Sequence, residues 1–166
     1  MNKAPKPVLA WTIVKEAVIL GNLELLGRSA EQKLEYKEFI NKIKSEHLSV
    51  TDYLLISKFG IPSERVDGKL SAIRRNSSSP PITLLAPNDF PYNFEAGILH
   101  YIFWKLGGGV EKTEIREAAS SLMNSVPGAI DFVTYINPPH LKSVPEIEHA
   151  HILIKSDPLF RSNISI

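Results

Sequence analysis

The stretch from Asn137 to Lys155 is where residue types that could do chemistry are spaced most suggestively: Asn-Pro-Pro-His-Leu-Lys-Ser-Val-Pro-Glu-Ile-Glu-His-Ala-His-Ile-Leu-Ile-Lys. Three of the five histidines, His140, His149 and His151, fall within twelve positions of it. Read as a strand, Ile147 to Lys155 alternates its side chains between two faces. His149, His151, Leu153 and Lys155 then share one face, and Ala150, Ile152 and Ile154 form a core face on the other. The two imidazoles stand side by side, about 7 Å apart at the backbone. Such a pair can ligate a divalent metal (zinc, iron or manganese), with a carboxylate from Glu146 or Asp89 completing the set. Alternatively, one imidazole acts as acid or nucleophile at a phosphate while the other holds the charge. A structural reading stands beside both: two histidines packed on a half-buried sheet face.

Other polar residues are candidates for the same site. Asn88 and Asp89 lie in the Pro-bounded loop Ala86 to Tyr92, where they fix either a ligand or an Asx turn. Arg28 precedes a helix N-terminus, a position that favours anions. Lys142 and Ser143, after the Asn137-Pro138-Pro139 turn, are candidate anion contacts or solvated turn residues. His100 shares a strand face with Ile102 and Trp104 and reads as a hydrogen-bonded sheet histidine. Nucleotide hydrolases and transferases of the histidine-triad type carry a strand of His, apolar, His, apolar, His. Here the third position is Leu153, and the comparison fails at that residue. Gly107 to Gly109 lacks the following Lys-Ser/Thr spacing of a phosphate loop and reads as a turn. Arg74 and Arg75, followed by Ser77 to Ser79, read as a polar surface loop, or as a phosphate contact or modification site.

The elements that must position these residues divide the chain in two. The first sixty residues read as helical. Thr12 caps a helix over 13–20 that stops at Gly21. Ser29 and Gln32 have capping-box spacing, as do Ser49 and Asp52, ahead of helices over 30–43 and 53–59. Residues 61–81 show only an Asp67-Gly68 turn and a polar loop. Strands follow over 82–85, 97–106, 131–136 and 147–155, with a helix over 113–124. The expected fold is α+β: a helical N-terminal half packed on a small, mostly antiparallel sheet from the C-terminal half.

Composition narrows the function classes. The chain has 166 residues, with 19 Lys and Arg against 18 Asp and Glu, a net charge of +1. That length suits a single domain over 1–166, with 1–10 and 157–166 as flexible tails. The balanced charge provides no field for nucleic acid or an anionic membrane. Zero cysteines exclude disulfides, thiolate metal sites and a cysteine nucleophile. The apolar stretch after the basic N-terminus is broken by Lys15 and Glu16 and is too short to span a bilayer. A soluble, cytoplasmic protein is expected.

Five runs in one order then carry a resemblance. They are Leu25-Leu26-Gly27-Arg28-Ser29, Ser49-Val50 with Asp52-Tyr53-Leu54-Leu55, Asn88-Asp89-Phe90-Pro91-Tyr92, Ile98 to Lys105, and Asn137-Pro138 through His151. Together, over about residues 11–155, they resemble a largely fungal domain family of unknown function that includes the N-acetylglucosamine-induced protein 1 of yeasts. Phe90 stands where members commonly have Trp. The resemblance implies a soluble, cytoplasmic protein linked to amino-sugar utilisation, and it carries over no catalytic residue. It marks Arg28, Asn88, Asp89, Asn137, Pro138, Ser143, His149 and His151 as positions to test. The expected activity is binding or transformation of a phosphorylated or nucleotide-linked small molecule. His149, His151 and Asp89 are the candidate catalytic or metal-ligating groups, and Arg28, Asn88, Asn137, Lys142 and Ser143 the ligand contacts. As an enzyme it would be a metal- or histidine-dependent hydrolase or transferase of phosphate esters. The rival reading is a non-enzymatic module acting through a protein partner.

Overall fold

A computed structural model describes residues 6–157 and Leu159, and in it the last alternating stretch of the chain becomes β6 (Glu148–Ser156). The preceding strands are β3 (Ile82–Pro87), β4 (Ile98–Leu106) and β5 (Ala129–Tyr135). They join β6 in a four-stranded sheet of order β3-β4-β6-β5. Every pairing in it is antiparallel. A separate hairpin pairs β1 (Ser63–Val66) with β2 (Lys69–Ala72).

The alternation of β6 decides what covers each face. Ala150, Ile152 and Ile154, with Phe103 of β4, pack against α4 (Lys112–Ser125). That helix contributes Ile115, Ala118, Ala119 and Leu122, the i, i+3, i+4, i+7 stripe of a half-buried helix. Burial of each large aliphatic side chain stabilises the fold by about 1.5–3 kcal/mol. Lys105 closes the layer's edge, donating to both oxygens of Glu114 at 2.8 and 2.9 Å.

The opposite face receives α1 (Trp11–Ile19), α2 (Ala30–Glu46) and α3 (Val50–Ser57). Its apolar core is divided. One cluster joins Val14, Ala17 and Leu26 to Val133, Tyr135 and Leu153. The other joins Leu54, Leu55, Ile61 and Ala72 to Val144 and Ile147. The architecture is the expected α+β one, with the helical N-terminal half on the sheet of the C-terminal half. α4 on the far face makes it three layers.

Several local expectations are corrected. Helix α1 begins at Trp11 rather than after Thr12, and its N-cap, Ala10, makes no side-chain bond. Its open end is capped from elsewhere in the chain, as the Trp11 N–H donates to Glu95 Oε1 at 3.1 Å. The Ser29 capping box forms in both directions, at 3.2 and 2.9 Å. At Ser49 only one arm forms. Its hydroxyl accepts from the Asp52 N–H at 3.0 Å, while the Asp52 carboxylate receives the Ser49 hydroxyl at 2.5 Å and the Ala72 N–H at 2.9 Å. Asp52 thereby ties the β1–β2 hairpin to α3. That hairpin turns at Asp67 and Gly68, both with positive φ, 49° and 81°.

Of the two expected tails, residues 1–5, 158 and 160–166 lie outside the described residues. Leu9 is buried and bonded on both sides, its N–H to the Asn93 carbonyl and its carbonyl to the Glu95 N–H, each at 3.0 Å. Among the described residues no helix is long and apolar enough to cross a membrane.

Candidate functional site

The gap between the two clusters on the helical face is where the histidines stand. β6 places His149, His151 and Leu153 on that face, and the register sets Trp104, Ile102 and His100 of β4 directly opposite them. His100 is therefore the cross-strand partner of Leu153, the residue that leaves the β6 run without a third histidine. The neighbouring strand supplies that third imidazole: His100 Nε2 lies 2.8 Å from His151 Nδ1. All three rings are buried.

The hydrogen bonds around them are directional. The backbone N–H of Tyr92 is an obligate donor 3.3 Å from His100 Nδ1, so Nδ1 accepts and the ring proton sits on Nε2. Nε2 then donates to His151 Nδ1. The His151 proton is left on its Nε2, which faces the Asn137 side-chain amide nitrogen at 3.1 Å. A half-turn of that amide presents its oxygen to Nε2–H instead. The same oxygen then accepts from the Tyr92 hydroxyl, 3.2 Å from the amide nitrogen. His151 is further fixed by Tyr135, whose ring is parallel to it within 1° at 4.7 Å.

His149 is arranged differently. Its Nδ1 donates to the Ile147 carbonyl at 2.7 Å, and its ring packs on Trp104 at 4.7 Å. That bond selects the tautomer with a lone pair on Nε2. Among the described residues nothing hydrogen-bonds this nitrogen, and His149 lines the cleft described next.

The cleft is narrow, with about 80 Å³ of free space between its walls, and opens to solvent at its mouth. α2 and α3 form one wall through Tyr36, Phe39, Ile40 and Tyr53; the sheet forms the other through Trp104, His149 and His151. Arg28 stands at one end. Its guanidinium lies 4.3 Å from the Tyr36 ring centroid and 5.3 Å from that of Tyr92, and its Nε donates to the Phe90 carbonyl at 3.0 Å. No carboxylate pairs with it among the described residues, so the two terminal nitrogens of its fork are open to an anion.

Burial holds all three imidazoles neutral. It pushes His100 down to about 3, helped by the nearby Arg28 charge. It drives His151 well below the ordinary histidine range, with His100, His149 and Arg28 adding to the effect. His149 is lowered by burial as well, against the Ile147 carbonyl bond, which raises it. Neutral His149 keeps its Nε2 lone pair at physiological pH.

Of the expected site residues, Arg28, Asn88, Asp89, Ser143, His149 and His151 line this cleft. Asn88 accepts the Phe90 N–H at 2.9 Å, an Asx turn, and its amide nitrogen rests 3.4 and 3.5 Å from the two His100 ring nitrogens. Asn137 sits behind His151. Asp89 is on the rim, half exposed and paired with Lys58 at 2.6 Å. Lys142 is bonded to Glu148 at 3.4 Å and does not line the cleft. His140 turns away to Glu24 at 3.3 Å.

The residues present do not fit a resident metal. His151 has both ring nitrogens engaged and His149 has one, which leaves a single free imidazole nitrogen, while Asp89 is committed to Lys58. Among the described residues no group of three or more His, Asp or Glu is placed to hold an ion. His149 and His151, the expected ligand pair, therefore do not present two free ring nitrogens side by side in this structure.

The sequence places His100 as a hydrogen-bonded sheet histidine, as it is here, but does not reveal its bond to His151 or the roles of Tyr36, Tyr92 and Tyr135. The available signal was the shared face of His100, Ile102 and Trp104, which becomes informative only once the β4–β6 register is known.

The profile of a family described as "Protein of unknown function (DUF3605)" matches residues 10–155. An "Uncharacterized protein YPL067C" of Saccharomyces cerevisiae is 32% identical over 157 residues, covering 87% of this chain and 77% of that protein. The "N-acetylglucosamine-induced protein 1" of Candida albicans is 28% identical over 171 residues, covering 87% and 67%. The crystal structure of HTC1 superposes with a TM-score of 0.57 at 24% identity, over 91% of this chain and 87% of the other, and shows a shared fold. The chain belongs to the DUF3605 family.

Proposed function

We propose that this DUF3605 member binds a phosphorylated small molecule in the cleft between the sheet and α2, and that His149 is its reactive group. The observation that carries the reading is the His149 Nδ1 bond to the Ile147 carbonyl at 2.7 Å, in the same cleft as an Arg28 fork that has no carboxylate partner among the described residues. A neutral imidazole fixed in that tautomer offers its Nε2 lone pair as base or nucleophile. A phosphate oxygen supplies what the Arg28 fork lacks, a doubly accepting anion. The His100–His151–Asn137 chain then serves to position His151 beside His149, 5.6 Å away ring to ring. The reaction class is hydrolysis or transfer of a phosphate ester. The Candida relative is named for induction by an amino sugar, so amino-sugar phosphates and nucleotide-sugars belong among the first ligands to try. The reading is of a cytoplasmic protein.

Thermal unfolding with nucleotides, nucleotide-sugars, amino-sugar phosphates and inorganic phosphate tests this. A ligand at 100 times its dissociation constant adds about 2.7 kcal/mol of stability. The expected result is a rise in Tm for one phosphorylated class that disappears in Arg28→Ala. His149→Ala keeps the rise and loses turnover of the same compound. No rise with any compound, or a rise unchanged in Arg28→Ala, overturns the reading and turns the search to protein partners.

A further inference from the structure

A second cleft lies on the far side of α3, beneath the loop that joins β2 to β3, and is lined in part by Arg74, Arg75, Ser77 and Ser79. The loop reads Arg-Arg-Asn-Ser-Ser-Ser-Pro-Pro from Arg74 to Pro81 and carries no regular structure. Its conformation is set by a few bonds. Arg75 donates to the Pro80 carbonyl at 2.7 Å, which staples the base of the loop. The Asn76 side chain accepts the Ser78 N–H at 3.2 Å, and the Asn76 carbonyl accepts the Ser79 N–H at 3.0 Å. These bonds make Asn76 to Ser79 a tight turn whose tip exposes Ser77 and Ser78 to solvent. The Ser77 hydroxyl has only a 3.5 Å contact with Asn76 Oδ1.

From this arrangement we propose that Ser77 is a phosphorylation site, and that its phosphate folds back onto Arg74 and Arg75. Two observations point the same way. Arginines stand two and three positions before an exposed serine, the charge pattern that an acidic kinase groove reads. The same arginines line the cleft that Ser77 itself lines, so two guanidiniums are within reach of a phosphate placed there. In the transfer the Ser77 oxygen forms a bond to the γ-phosphorus of ATP and the bond from that phosphorus to the bridging oxygen breaks. ADP leaves, and the hydroxyl proton passes to the kinase's base.

Arg74 is free to move. It donates to Asp52 Oδ1 at 3.2 Å, but its side chain is 59% exposed. Asp52 keeps the Ser49 hydroxyl and the Ala72 N–H if Arg74 leaves. Arg74 therefore shifts toward the phosphate without stranding a buried carboxylate. Among the described residues Glu146 is the one acidic group lining the same cleft.

The test is to treat the full chain with ATP and a basophilic serine/threonine kinase, locate the phosphate by mass spectrometry, and titrate it by phosphorus NMR. One phosphate at Ser77, absent in Ser77→Ala, is expected. Its second ionisation falls below the usual value of about 6 in the folded protein and returns to that value in urea. Absence of incorporation, or incorporation at Ser78 or Ser79 instead, overturns the site. An ionisation that is the same folded and unfolded overturns the capture by Arg74 and Arg75.

Discussion

His100 on β4 and His151 on β6 are hydrogen-bonded across the sheet, Nε2 to Nδ1 at 2.8 Å, although His100 is paired in register with Leu153 and not with His151. The bond is therefore diagonal, reaching from one cross-strand pair to the next on the same face. It makes two residues that are 51 positions apart into one unit. A second proton on His151 would remove the Nδ1 acceptor that His100 uses, and one on His100 would remove the Nδ1 acceptor that the Tyr92 N–H uses.

Acid should consequently unfold this protein earlier than its carboxylates require. His100 has its folded pKa depressed to about 3, while in the unfolded chain it titrates near 6.5. Between those values the unfolded chain binds more protons, so stability rises with pH and is lost on acidification. His100 alone accounts for on the order of 3 kcal/mol lost by pH 4, and His151 and His149 act with the same sign. Asp52 is held below its ordinary range, burial notwithstanding, by bonds from Ser49 and Ala72 and by the Arg74 charge. Its contribution is lost only below about pH 4. Urea midpoints of wild type and His100→Asn across this range check the assignment. A flatter curve in the variant is expected, and parallel curves reject it.

The strand that carries His149 and His151 was legible because its alternation is local: three aliphatic residues on one face dictate where the imidazoles go. His100 was not legible as their partner. Its role depends on the β4–β6 register, which no window of sequence encodes, and Leu153 at the expected third position pointed away from it. The N-terminal cap of α1 hides for the same reason, since its acceptor, Glu95, is 84 residues away. The β1–β2 hairpin escapes because β1 is exposed at all four positions and shows no alternation. Asn88 and Asp89 were read as either turn or ligand residues. The turn bond is now seen at Asn88, and the same residue also touches His100.

Arg28 should support stability as well as any ligand. It lies between the Tyr36 and Tyr92 rings and bonds the Phe90 carbonyl. Arg28→Ala is expected to lower stability by about 1–2 kcal/mol in the absence of ligand. Arg28→Lys keeps the charge but lacks the planar fork, so it recovers less than half of that loss. Urea unfolding of the three proteins at one pH measures both numbers. Full recovery by lysine would mean that charge alone matters at this position.

Asn137 separates an acceptor role from a packing role. If its amide oxygen takes the His151 Nε2 proton, Asn137→Asp retains an acceptor and adds a negative charge beside the ring. The expected outcome is a folded protein whose His151 titrates at higher pH than in wild type, read from imidazole proton shifts. Asn137→Leu leaves that buried N–H without a partner and costs about 1–3 kcal/mol. A His151 titration unmoved in Asn137→Asp would show that the side chain at position 137 does not reach the ring.

Asp52 offers the sharpest local test, because one buried carboxylate holds two elements together. It caps α3 through Ser49 and secures the hairpin through the Ala72 N–H at 2.9 Å. Asp52→Ala strands that N–H in a site where Ala72 is only 3% exposed, at a cost of about 1–3 kcal/mol. Asp52→Asn keeps an oxygen for Ala72 while giving up the Arg74 pair, and the exposure of Arg74 makes the lost attraction small. Hydrogen exchange distinguishes local from global effects. In Asp52→Ala the amides of β1 and β2 should exchange faster while those of β6 change only by the global loss of stability. Equal acceleration in both would mean that the hairpin and the main sheet open together, and that Asp52 is not a local tie.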